Sequence, residues 1–117
     1  MDPCGPAERH WSSAEAIGTK AALPLLARSG RGSIVNVSSI RALVAGQGTA
    51  AYAAAKAGVR LFTKSTALEC AALGNGVRAN SVHPAQIVTQ LTDAALADPA
   101  RRQAVVSQIP LKRMGQP

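Results

Sequence analysis

Aromatic residues are almost absent from this chain. It holds one Trp, one Tyr and one Phe in 117 residues. That scarcity argues against a stacking platform for single-stranded nucleic acid, which needs several exposed rings. Cysteine is nearly as scarce. Cys4 and Cys70 are the only two, no Cys-x-x-Cys occurs, and His10 and His83 have no acidic partner at ligand spacing. Metal and thiol-redox chemistry are therefore not expected. Acidic residues number 6 against 13 Lys and Arg, giving a formal charge of +7. The basic residues are scattered, with no run of five, so no basic tail is present. Such an excess attracts phosphates, and it is equally the solvated surface of an Ala- and Arg-rich protein. No window approaches the length of a membrane span, and residues 1–10 lack the apolar stretch of a signal peptide. The setting expected is reducing, soluble and cytoplasmic.

Small aliphatics are what the chain does have. Its length suits one modest core of Ala, Leu and Val. Residues 1–12, with two prolines and a glycine, read as a loop or disordered arm, and residues 13–117 as one partial domain. Ser12 or Ser13 is the expected cap of a helix with Glu15 in its first turn, reaching Leu26 or Ala27. Pro24 predicts a kink or break near Ala22–Leu23. After the turn at Arg28–Gly32, Ser33–Ser39 has the short, nearly continuous apolar character of a buried parallel strand. Ile40–Thr49 is a loop, Ala50–Leu73 a helix, and Gly74-Asn75-Gly76 its stop. Val77–His83 is a second strand, ended by Pro84. Strand, helix and strand at this spacing make a parallel βαβ unit. A helix over Thr89–Ala97, another capped by Asp98 with Pro99 at its first position, and an extended tail over 109–117 complete the chain. Two parallel strands are few for a sheet buried on both faces, so the fold class expected is α/β, as part of a larger doubly wound sheet.

Tyr52 and Lys56 stand four apart on the long helix, so phenol and ammonium share one face. A free phenol ionises near pH ~10, too high for a base at neutral pH, and a cation beside it favours the phenolate. Near a carbinol or carbonyl such a phenol serves as a general acid/base. The same pair is commonly a mere surface pair. Ser38 and Ser39 end the first strand, and Pro84–Thr89 follows the second. In open α/β sheets ligands bind beyond the carboxyl ends of the strands, so topology directs these segments toward one crevice. A strand-end serine is also often only a cap.

With these residues set out, the chain from about Ile17 to Pro117 resembles the short-chain dehydrogenase/reductase (SDR) family. The matching stretches are Gly18–Pro24, Gly32–Ser39, Tyr52-x-x-x-Lys56 and Val77–Pro84. Ser39 lies thirteen residues before Tyr52, the separation of the family's serine and tyrosine, which selects Ser39 over Ser38. The resemblance implies a partial Rossmann-like fold that lacks the N-terminal nucleotide-binding half. It implies hydride transfer between NAD or NADP and a secondary alcohol or ketone. Tyr52 is then the acid/base, Lys56 supports it and holds the nicotinamide ribose, and Ser39 orients the substrate oxygen. Pro84, Ala85, Ile87 and Thr89 are the implied cofactor contacts after the second strand. The helix over 50–73 resembles the family's oligomer-forming helix, implying a possible homo-oligomer. The family's glycine-rich turn and its Asn-Asn-Ala-Gly segment are missing; Gly46-Gln47-Gly48-Thr49-Ala50-Ala51 fits the glycine pattern but has no adequate strand before it. Trp11 stands where the family has a proton-relaying asparagine, and Ala85 where it has glycine. Weak or absent dinucleotide binding by the chain alone is therefore expected. A truncated, catalytically incompetent derivative keeping at most a pairing helix is the alternative, and a basic nucleic-acid-binding module the remote one.

Overall fold

The computed structural model describes residues 11–117, with the backbone alone for Trp11, Ser12 and Leu91. The arm expected over 1–12 thus lies outside the described residues except at Trp11 and Ser12. The described chain is α/β and divides into two compact units, Met1–His83 and Pro84–Pro117.

The first unit opens with helix α1, Trp11–Ser29. The helix begins before the expected serine cap, so Glu15 falls beyond the first turn. It also runs through Pro24 rather than breaking there. Pro24 is exposed, while Leu23, Leu26 and Ala27 pack on the core. A proline inside a helix costs about 3 kcal/mol, and that inward packing holds the helix together across it. Gly30, at a φ of 69°, ends the helix, its N–H donating to the Ala27 carbonyl.

Strand β1, Ser33–Val37, pairs in parallel with β2, Arg78–Val82, with Ser33 opposite Arg78 and Val37 opposite Val82. Both strands are shorter than the sequence suggests. Main-chain pairing continues one step, Ser38 N–H to Val82 O at 2.8 Å, before Ser39 turns the chain into a short 3-10 turn over Ile40–Ala42. The expectation of a strand buried on both sides needs correction. Ile34 and Asn36 are buried, but Val35 is 59% and Val37 55% exposed. Helix α1 and the helix over Ala50–Ala72 cover one face, and the other face of this two-stranded sheet is open.

Helix α2, Ala50–Ala72, connects the strands. Its buried residues are Lys56, Val59, Thr63, Thr66 and Cys70. They fall alternately three and four apart, which is one stripe of a helix. At the Cys70 end this stripe joins the apolar core of Ile34, Cys70 and Val77. At the Lys56 end it is polar. Gly76, at a φ of 73°, passes so close to the Gly30 carbonyl that a Cβ there would collide with it.

The second unit has α3, Gln90–Ala95, and α4, Pro99–Ser107. Thr89 caps α3 and exchanges hydrogen bonds with Thr92 in a capping box. Asp98 caps α4, its carboxylate accepting from Ala100 N–H, and Pro99 takes the first position. The tail is not simply extended. It turns through Ile109–Arg113, Met114 is buried, and Gly115 forms a parallel bridge with Ile87.

Candidate active site

Two contacts bring the start of α2 against the carboxyl end of β1. The Lys56 ammonium donates to the Val37 carbonyl at 2.9 Å, and the Ser38 hydroxyl donates to the Lys56 carbonyl at 2.8 Å. Lys56 is only 8% exposed. A buried ammonium requires compensation, and α1 provides it: Glu15 Oε1 lies 3.5 Å from Lys56 Nζ. Tyr52, in the first turn of α2 and half-buried, precedes Lys56 by one turn on the same helix face.

The two serines differ. The Ser38 hydroxyl is committed to the Lys56 carbonyl. Ser39 caps the 3-10 turn, with Oγ accepting the Arg41 N–H at 3.1 Å. Its O–H makes no hydrogen bond to a described residue, so Ser39 keeps a proton to donate. The Ser39 carbonyl lies 3.2 Å from His83 Nδ1, and His83 Nε2 lies 2.9 Å from the Ser81 hydroxyl. Beneath this layer Asn36 donates to Thr63 Oγ1 at 2.9 Å, and Thr63 donates to the Val59 carbonyl at 2.7 Å. The polar groups that converge at the strand ends are thus each held by a bonded neighbour.

Gly46, before α2, is not built into a phosphate cradle. A Cβ on Gly46 would run into the Arg41 guanidinium, at 2.5 Å from its Cζ and Nη1. Arg41 itself donates to the Ala45 carbonyl. The close approach that a glycine permits is therefore used by a side chain of the same loop, not left for a pyrophosphate. Reading Gly46–Ala51 as the loop leading to Tyr52 agrees with this.

Pro84, Ala85, Ile87 and Thr89 belong to the second unit. There the Ile87 carbonyl accepts from the Thr92 hydroxyl at 2.6 Å, and the strand-like path continues as Val88 N–H to Gly115 O. The Thr89 hydroxyl oxygen accepts the Thr92 N–H as a helix cap. Pro84 is half-buried and Ala85 exposed.

A family model described as enoyl-(acyl carrier protein) reductase matches residues 13–117. The chain belongs to the short-chain dehydrogenase/reductase family. It is 43% identical over 101 residues to a cyclopentanol dehydrogenase of Comamonas testosteroni, covering 86% of this chain and 40% of that protein. It is 44% identical over 95 residues to a 3-oxoacyl-(acyl-carrier-protein) reductase of Staphylococcus aureus, covering 81% of this chain and 37% of that one. Among solved structures it resembles a gluconate 5-dehydrogenase from Burkholderia cenocepacia in complex with NADP and tartrate. The TM-score is 0.75 at 31% identity, over 84% of this chain and 38% of that chain. The chain thus spans about two fifths of the length of the relatives it matches.

Within this SDR chain, sequence reasoning passed over Glu15 and His83 as members of the cluster. Glu15 was legible in one respect. Glu15, Thr19, Leu23 and Leu26 form an inward stripe of α1, each at least half-buried, so a carboxylate stands in line with core positions. His83 had a weaker signal, its alternation with Ala79 and Ser81 along the covered face of β2 and just beyond.

Proposed function

We propose that this chain carries the proton-transfer residues of an NAD(P)-dependent oxidoreductase that interconverts a secondary alcohol and a ketone. One observation carries the reading. The Lys56 ammonium is buried against the Val37 carbonyl at the carboxyl end of β1, two residues before Ser39, and stands one helical turn from the only tyrosine. In the alcohol-oxidising direction, Tyr52 accepts the hydroxyl proton at its phenolic oxygen. Ser39, with its O–H unspent, donates to the substrate oxygen and fixes its position. Lys56 supplies a fixed positive charge one helical turn from the phenol. A nicotinamide, when bound, supplies the hydride chemistry. The donors at Lys56 and Tyr52 suit the hydroxyl-rich ribose beside that ring, and the backbone at Pro84, Ala85 and Ile87 with the Thr89 hydroxyl is proposed to meet the carboxamide end.

Arg41 in the space beside Gly46 favours a second reading. Gly46 offers no room for a pyrophosphate, and on this reading the chain holds the acid/base set without turning over by itself. Its contribution would then be structural, through pairing of α2 with another chain.

Titration of the 117-residue chain with NADH and NADPH, followed by fluorescence, separates the two. The first reading expects micromolar binding and turnover of a secondary alcohol, with Tyr52→Phe removing turnover while the thermal transition stays in place. Binding too weak to saturate, with no turnover, establishes the second. Turnover that survives Tyr52→Phe overturns the role given to the phenol.

A further inference from the structure

Among the described residues, Glu15 is the one acidic side chain in the polar cluster at the strand ends. Its two oxygens differ. Oε1 faces the Lys56 ammonium at 3.5 Å, whereas Oε2 is buried with no hydrogen-bond partner among the described residues. The side chain is 19% exposed. A carboxylate needing only its own solvation would turn Oε2 toward water. Burying that oxygen unpaired forfeits hydration, and what the position gains is a fixed negative charge against Lys56. The other described groups of the cluster include no second carboxylate. Val37 offers a carbonyl, Ser38 and Ser39 hydroxyls, and His83 faces Ser39 and Ser81.

We infer that Glu15 is a positioning residue. It holds the Lys56 ammonium against the end of β1 and neutralises it there, so that α1 as well as α2 sets where the charge beside Tyr52 sits. The place of this pair in a reaction rests on the reading of Ser39, Tyr52 and Lys56 above, but its existence does not.

The test follows Lys56 directly. The folded chain is treated with a limiting amine-acylating reagent, and modification of each lysine is timed by peptide mass spectrometry. Exposed Lys20, Lys64 and Lys112 serve as internal references. Lys56 should be modified most slowly. In Glu15→Gln, which keeps the side-chain volume, its rate should rise severalfold while the references stay constant, and Glu15→Asp should fall between. A purely space-filling Glu15 predicts no change in Glu15→Gln, and that result overturns the inference. Thermal unfolding of Lys56→Met and of Glu15→Gln/Lys56→Met provides a second readout if Glu15→Gln alone does not fold. Lys56→Met should lower the midpoint by stranding the carboxylate, and adding Glu15→Gln should restore part of it. Losses that simply add overturn the coupling. None of these readouts needs a bound dinucleotide, so a chain that fails to bind NADPH would refute the proposed function and leave this inference standing or falling by itself.

Discussion

Along the covered face of the sheet, Ile34 and its register partner Ala79 pack with Cys70 and Val77, yet one repeat further on the inward pair is Asn36 and Ser81. Ser38 and His83 follow. The amino end of the sheet is thus apolar and the carboxyl end polar, though the same helix covers both. Helix α2 carries the same gradient in reverse, from Lys56 at its start to Cys70 near its end. The contrast shows how a small protein can bury a charged site at all. The apolar end supplies the stabilising burial, at about 25 cal/mol per Å² of apolar surface. The polar end is held by pairing its buried groups with neighbours, Glu15 Oε2 excepted, which on balance contributes only about 1 kcal/mol per bond.

Four substitutions sharpen that contrast. The largest effect is expected at the amino end, where the turns before the two strands meet in backbone contact. Gly76→Ala forces a Cβ onto the Gly30 carbonyl at a positive φ, and should destabilise by on the order of 3–5 kcal/mol in urea unfolding. A loss below about 1 kcal/mol would show that the two turns move apart easily. Next comes a matched pair across the sheet. Ile34→Thr places a hydroxyl in the core and should cost about 2–3 kcal/mol, whereas Val35→Thr, on the open face, should stay within about 0.5 kcal/mol. Equal losses would mean that the outer face is covered too, and the comparison of faces would fail. The smallest effect is expected inside the polar end. Asn36→Ala removes one hydrogen bond to Thr63, which keeps its bond to the Val59 carbonyl, and should cost about 1 kcal/mol. A larger loss would mark Asn36 as a support of the whole cluster, and labelling of Lys56 in the same variant would show whether the ammonium has moved.

Much of the architecture was readable in advance because its signals are local. The glycines at 74 and 76, the Ala-rich run before them and the Asp98-Pro99 pair act within a turn or two, and the elements they predict are present at nearly the expected bounds. Pro24 was misleading for the same reason. A local rule predicts a break, but Leu23, Leu26 and Ala27 gain more from packing on the core than the missing hydrogen bond costs. The exposed alternation of β1 was hidden because Val35 and Val37 are as apolar as Ile34, and side-chain type alone cannot say which face is covered.

At the site, sequence spacing determined that Tyr52 and Lys56 share a helix face and that Ser39 stands at the family's distance from the tyrosine. Helical periodicity and residue spacing are properties of the chain, so they required nothing further. Tertiary structure alone decided that Ser38 is tied to Lys56 while Ser39 keeps its proton, that Arg41 fills the space beside Gly46, and that Glu15, 41 residues away in sequence, faces the ammonium. These are choices of hydrogen-bond partner between segments far apart in the chain. They depend on how α1, α2 and β1 come to lie together, and no spacing within one element contains them.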